Sequence, residues 1–183
     1  AAFPGYRSVI ARQYFKDLKQ TTMKTFFKIC PKEFIASHND TEGVTTLKNG
    51  STILWMHLDS FDEQSLRGLE INSALIDQAE EISEGIYLIL DSRIGRWDKA
   101  KVDSAYLDAN VNWPRNVFGE PRVHNFIDVL CNPDTTFHWI YRRFHPDSFE
   151  KRPDHFYIEA ATDVNLNDPK TIEQMLSRDP EWV

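Results

Sequence analysis

Cysteine, glycine and long apolar runs are all scarce in this sequence, and each scarcity removes a class of protein. The two cysteines, Cys30 and Cys131, stand far apart with no C-x-x-C partner. That excludes a disulfide framework and a cysteine-built zinc site, and it fits a reducing compartment. Glycine occurs only 7 times in 183 residues, and no segment is low in complexity, so wholesale disorder is not expected. No apolar run reaches membrane-spanning length and no secretory-signal pattern accompanies these residues. Asn39-Asp40-Thr41 and Asn49-Gly50-Ser51 match the glycosylation acceptor pattern, but without that context they read as turn residues. The formal charge of −7 argues against a surface that coats nucleic acid over its whole extent, because neutralising phosphate takes a basic face.

What is present is the makings of one buried core. The chain is 41% hydrophobic, 27% charged and 13% aromatic, ordinary for a single globular domain of roughly 100–200 residues. It opens at Ala1 almost directly onto a strand-like stretch and stops at Trp182-Val183 with no closing element, the form expected of a fragment.

Tyr6 to Ala11 reads as a short buried strand through Val9-Ile10-Ala11. Arg12 to Phe27 follows with helically spaced apolar residues at Phe15, Leu18, Met23, Phe26 and Phe27, and Pro31 ends that helix. Val44 to Leu47 and Thr52 to Leu58 flank Asn49-Gly50, which predicts a hairpin closed by a two-residue turn with both positions at positive φ. Asp59 to Gly68 is polar and predicts a loop. Ala74-Leu75-Ile76 predicts a strand ending in Asp77, with a helix from about Ala79 to Asp91. Trp113 to Pro121 reads as loop, Phe126 to Leu130 as a strand stopped by Pro133, Thr136 to Phe144 as helix, and Phe156 to Ala160 as a last strand. Short apolar strands separated by helices indicate an α/β layered sheet.

The run Ala74-Leu75-Ile76-Asp77-Gln78-Ala79-Glu80-Glu81-Ile82 carries the most chemical information. An apolar strand that ends in an acid can fix a carboxylate beside a magnesium ion, and a neighbouring glutamate can orient and deprotonate water, as in a Walker B element. By itself the run equally suits helix capping and first-turn dipole pairing.

Other features stand in matching order. Pro4 through Arg12 to Phe27, Leu47-Lys48-Asn49-Gly50-Ser51, Arg67-Gly68, Asp77 to Ile82 and Leu130-Cys131-Asn132-Pro133 together resemble the large subunit of tailed-phage terminases, over nearly the whole chain. The resemblance implies a P-loop NTPase-like α/β sheet with flanking helices, incomplete at its N-terminus, and a single partial ATPase domain over 1–183 without the nuclease domain. It implies ATP hydrolysis coupled to translocation of viral duplex DNA into a procapsid. ATP and Mg2+ are the implied cofactors. The portal protein, a small terminase subunit and neighbouring copies in a ring are the implied partners, with no membrane involved, in the cytoplasm of an infected bacterium.

In residue terms, the resemblance makes Asp77 the metal ligand and puts Gln78 and Asn132 at the nucleotide. Glu80 or Glu81 become candidates for activating water, and Arg67 a finger reaching the neighbouring subunit's nucleotide. Arg67 also reads as an ordinary loop arginine beside a turn glycine. Arg12 reads either as a phosphate contact or as a structural pair, the latter favoured. Arg93 and Arg96, near Gly95, read either as facing DNA or nucleotide or, the commoner fate, as exposed salt bridges.

Two departures qualify the pattern. No G-x-x-x-x-G-K-[ST] run occurs, so the phosphate cradle is not among these residues, and the fragment alone is not expected to hydrolyse ATP. Gln78 stands where many motor ATPases place the catalytic glutamate, and an amide orients water without taking its proton.

Competing classes are weighed against this. One is a non-catalytic α/β structural or assembly module without a nucleotide loop. Another is a nuclease built on Pro153-Asp154 and Glu159, but Ala161 stands where that chemistry needs lysine. A glycoside hydrolase fails for want of a fixed carboxylate pair. The six histidines form no H-E-x-x-H pattern. Phe137, Trp139, Tyr141 and Phe144 read as a buried helical face rather than as base-stacking residues, and Tyr141-Arg142-Arg143 with Lys151-Arg152 reads as a solvated face rather than a basic grip.

Overall fold

Strand β1 (Arg7–Arg12) is flanked on both sides by parallel neighbours, β4 (Thr52–His57) and β5 (Ser73–Ile76). A strand in that position must be apolar on both faces, which Val9-Ile10-Ala11 supplies. The computed structural model describes residues 3–59, 63–132 and 135–158. Among them β6 (Phe126–Val129) pairs parallel with β5, while β3 (Val44–Leu47) pairs antiparallel with β4 and with β2 (Ile35–Asn39). The result is one sheet of 6 strands in the order β2-β3-β4-β1-β5-β6. The expected α/β layered sheet with flanking helices is therefore what the chain has.

The first helix is not uniform. A short α1 (Phe15–Asp17) runs into a π-helical stretch, Leu18–Met23, and then into α2 (Lys24–Ile29). Leu18 and Met23 are both buried and lie five apart, a spacing that suits i→i+5 winding and not the 3.6-residue α-helix. They pack on Ile53 and Trp55 of β4, joined by Ile10, Phe26 and Phe27. Val9, Ala11, Ala74 and Ile76 share the other sheet face by register and are 0–1% exposed. Leu66 of α3 (Glu63–Arg67) and Tyr87 and Leu90 of α4 (Glu84–Asp91) are buried as well, and these two helices pack on each other.

Several sequence expectations need correction. The hairpin turn is a three-residue loop, Lys48-Asn49-Gly50, closed by Leu47 N donating to Ser51 O at 2.8 Å. Only Gly50 takes positive φ, at 81°. The Asn49 side chain instead accepts from Ser51 N at 3.1 Å, so it serves the turn by hydrogen bonding without entering the left-handed region. The polar stretch after Asp59 holds α3, whose one apolar residue, Leu66, is buried. The helix expected from Ala79 is broken. A 3-10 turn, Ala79–Glu81, ends at Ile82, and Ser83 starts α4 as an N-cap by accepting from Ile86 N at 3.4 Å. Strand β2 and helix α5 (Ser104–Ala109) have no counterpart among the sequence expectations.

The chain divides into two compact units, 1–140 and 141–183, the division falling inside α6 (Trp139–Phe144). In the first unit Trp139 packs against Tyr87 in a tilted pair with ring centroids 4.9 Å apart and donates Nε1 to Ile82 O at 2.7 Å. Phe137 lies outside the helix and is 88% exposed, so the expected aromatic face is only partly formed. In the second unit Arg142 sits 3.7 Å from Glu150 and Arg152 sits 3.6 Å from Asp154. That pairing matches a solvated face. Phe156 to Ile158 form no strand, and the expected strand's last two residues, like Pro133 and Ala161, lie outside the described residues.

Candidate active site

Three parallel strands deliver their C-terminal ends to one edge of the sheet, the place where open α/β sheets bind ligands. β1 ends at Arg12, β5 leads into Asp77 and β6 leads into Leu130. The ends are stitched together by Asp77 N to Ala11 O at 2.9 Å, Leu130 N to Ile76 O at 2.8 Å and Ala79 N to Leu130 O at 2.9 Å. A cleft of about 660 Å³ opens there. Its apolar wall includes Phe26 and Ile29 of α2 with Ile10 and Leu75 of the sheet, and its polar end gathers Arg12, Thr21, Thr22, Asp77, Gln78 and Asn132. Cys131 also borders it and is not in a disulfide.

The polar end is built around Asp77 Oδ2. Thr22 Oγ1 donates to this oxygen at 2.5 Å, and Arg12 Nη1 lies 3.7 Å from it. Arg12 Nη1 also donates to Thr21 Oγ1, which donates in turn to Asp17 O at 2.6 Å. The π-helical winding thus sets two successive hydroxyls against the ends of β1 and β5. Arg12 is only 9% exposed, yet its Nε has no hydrogen-bond partner. A buried guanidinium with an unmet donor is an expensive group to keep.

Gln78 is unusual in two respects. Its φ of 52° makes it the one non-glycine residue with positive φ among the described residues, a conformation that costs roughly 1–2 kcal/mol for a side chain of this kind. Strain of that sort clusters at functional positions. Its Oε1 is buried without a partner at the border of the cleft.

The predicted site residues fall into two groups. Asp77, Gln78 and Asn132 come together at the cleft. Glu80, Glu81 and Arg67 do not border it. Glu80 is held by Asn132, whose Nδ2 donates to Oε1 at 2.9 Å and whose backbone N donates to Oε2 at 3.4 Å. Glu81 is exposed on the 3-10 turn. Arg67 is exposed at the end of α3, where its carbonyl accepts from Arg93 Nη1 at 2.8 Å. Arg96 likewise bonds a backbone carbonyl, that of Ser92, at 2.8 Å. The sequence reading passes over Thr21 and Thr22 and favours a structural role for Arg12. The five-residue gap between Leu18 and Met23 is the available signal.

Magnesium typically binds through one or two carboxylates with water and substrate phosphates completing the shell. Among the described residues no group of three His, Cys, Asp or Glu is placed to hold a metal, so a cation here would rest on Asp77 and on its ligand. The Asp77 carboxylate and the Arg12 guanidinium beside it both line the cleft, the two charges that a divalent cation and a polyphosphate would need. The residues present fit that pair.

No protein-family model matches the chain, and no curated protein sequence does. Solved structures do match. The large terminase of a thermophilic bacteriophage, in its second crystal form, aligns with a TM-score of 0.66 at 13% identity over 96% of this chain and 37% of that one. The same protein in complex with ADP aligns at 0.61 and 14% identity over 94% and 37%, and in complex with ATP-γ-S at 0.59 and 14% over 94% and 36%. The likeness is one of fold: the chain has the fold of part of a phage large terminase, and spans a little over a third of its length.

Proposed function

We propose that this chain supplies the acid-bearing side of the ATP site in a DNA-packaging motor of the terminase type, coupling hydrolysis to translocation of viral duplex DNA into a procapsid. One observation carries the reading: Asp77 emerges at the mouth of the parallel strands, between Arg12 and Leu130, facing a cleft of about 660 Å³. The likeness to a terminase crystallised with ADP and with ATP-γ-S supports it.

Bound Mg2+ and ATP supply the electrophilic phosphorus and the charge that must be neutralised. The chain's residues do the rest. Asp77 holds the cation, the Gln78 amide orients a water, and Arg12 and Thr22 fix the carboxylate. Asn132, tied to Glu80, links the end of β6 to the turn after β5, so that movement of one is felt by the other. Glu80 and Glu81 are the acids within one turn of the site. Arg67, being exposed, acts on a neighbouring copy in a ring. A phosphate-binding loop, the portal protein and a small terminase subunit are the remaining parts, working in the cytoplasm of the infected cell. No helix among the described residues is long and apolar enough to cross a membrane.

The test uses the full reading frame that encodes these residues. Asp77→Ala abolishes DNA-stimulated ATP hydrolysis, and near-normal turnover rejects the assignment. The Gln78 amide favours a second reading, an α/β assembly module that does no hydrolysis; such a protein retains packaging-complex assembly and shows no turnover even before mutation.

A further inference from the structure

Arg12 carries more charge than its surroundings satisfy. It is 9% exposed, so nearly all of its guanidinium is out of water, and its nearest carboxylate oxygen stands 3.7 Å away, beyond hydrogen-bond range. One donor serves Thr21 and the Nε meets nothing. A buried ion pair is secure when geometry and hydrogen bonds are good on both sides, and here they are good on one side only. Asp77 has its firm bond from Thr22, at 2.5 Å, and keeps 25% of its side chain open to the cleft. The carboxylate is therefore reachable from solvent, while the cation beside it is under-bonded and faces the same cleft.

Resting on the nucleotide reading above, we propose that Arg12 is an exchange cation: it neutralises Asp77 while the cleft is empty, and passes to a phosphate group when a divalent cation takes its place on the carboxylate. Both charges stay compensated in both states. Only the partners change: Arg12 with Asp77 in one, cation with Asp77 and Arg12 with phosphate in the other. Cation and anion then bind with positive coupling, each removing the cost that opposes the other. Thr22 keeps its bond to Oδ2 in both states and so holds the carboxylate in place while its charged partner changes.

The experiment is a titration of the 183-residue chain with Mn2+, followed by the electron paramagnetic resonance of the free ion, with and without sulfate as the anion probe. In the unaltered chain Mn2+ binds weakly alone and more tightly with sulfate. Arg12→Gln, which removes the internal competitor, tightens Mn2+ alone by about tenfold and loses the sulfate effect. Arg12→Lys keeps a cation and stays close to the unaltered chain, and thermal melts of both variants show that each is folded. Equal Mn2+ affinity in Arg12→Gln and the unaltered chain overturns the exchange, as does a sulfate effect that survives without the guanidinium. Asp77→Asn separates the two ideas. If it leaves Mn2+ binding untouched, the metal-ligand reading itself falls; if it abolishes binding that Arg12→Gln does not alter, only the exchange falls.

Discussion

Thr22 Oγ1 donates to Asp77 Oδ2 across 2.5 Å, joining a π-helical turn to the end of β5 over 55 residues of chain. This bond holds one face of the carboxylate in place. Thr22→Val removes it while keeping side-chain shape, and a hydrogen bond to a charged, partly buried acceptor is worth about 1.5–3 kcal/mol before screening. With Asp77 a quarter exposed, the expected loss of stability is nearer about 1 kcal/mol. Thermal melts should show Thr22→Ser recovering most of it. Coincident melts for the valine variant and the unaltered chain would remove Thr22 from the site.

In the proposed ATP site, Gln78 stands where an acid would serve as general base. Restoring that acid with Gln78→Glu, in the full protein that encodes these residues, should raise ATP turnover by about 10²–10⁴, the usual worth of a general base. No change in turnover would locate the base elsewhere, with Glu81 the nearest exposed alternative.

Arg67 lies at the end of α3, outside the cleft lining, with its carbonyl held by Arg93. Arg67→Ala should therefore leave hydrolysis by dispersed subunits intact and depress it in the assembled ring, where a finger contributes about 10³–10⁵ in rate. Rings of the variant that package at the unaltered rate would strike Arg67 from the site.

How much of this is legible in the sequence depends on the range of the contacts. The end of β5 is readable because an apolar run breaking into acids is a local signal, and Asp77, Gln78 and Asn132 follow from it and from the resemblance it anchors. The hairpin is readable from Asn49-Gly50, though the bond from Leu47 N to Ser51 O sets a longer loop than that dipeptide alone suggests. Strand β2 is not readable: Ile35–Asn39 is a polar edge strand with an exposed middle, and edge strands carry little apolar alternation. Helix α3 shows a single apolar anchor, Leu66, in a polar stretch. Arg12, Thr21 and Thr22 are out of reach for another reason. Thr22 and Arg12 matter through their distances to Asp77, 55 and 65 residues on, and Thr21 through its bond to Arg12, which no periodicity along the chain reports.

Asp40 gives a pH-dependent check on the π-helical stretch, which carries Lys19. Its carboxyl is held below the usual carboxylate range first by a hydrogen bond from Lys19, whose Nζ lies 3.2 Å away, and then by His38. Since the folded pKa is depressed, the pair contributes above the unfolded value of about 3.9 and the contribution fades as pH falls through the folded value. Lys19→Met should move the Asp40 titration, followed by carboxyl NMR, upward toward its ordinary position. An unmoved titration would mean that Lys19 does not reach Asp40 in solution.

The π-helical stretch also constrains how this segment can vary. A π turn amounts to one extra residue wound into an α-helix, so the phase of everything beyond it depends on length rather than on composition. Losing a single position such as Gln20 would close the winding to the ordinary α-helical pitch and rotate the hydroxyls out of step with the Leu18 and Met23 anchors. Substitutions at the exposed Lys19 and Gln20 leave that phase alone. Deleting one residue between Leu18 and Met23 should therefore cost more stability than any single substitution at Lys19 or Gln20.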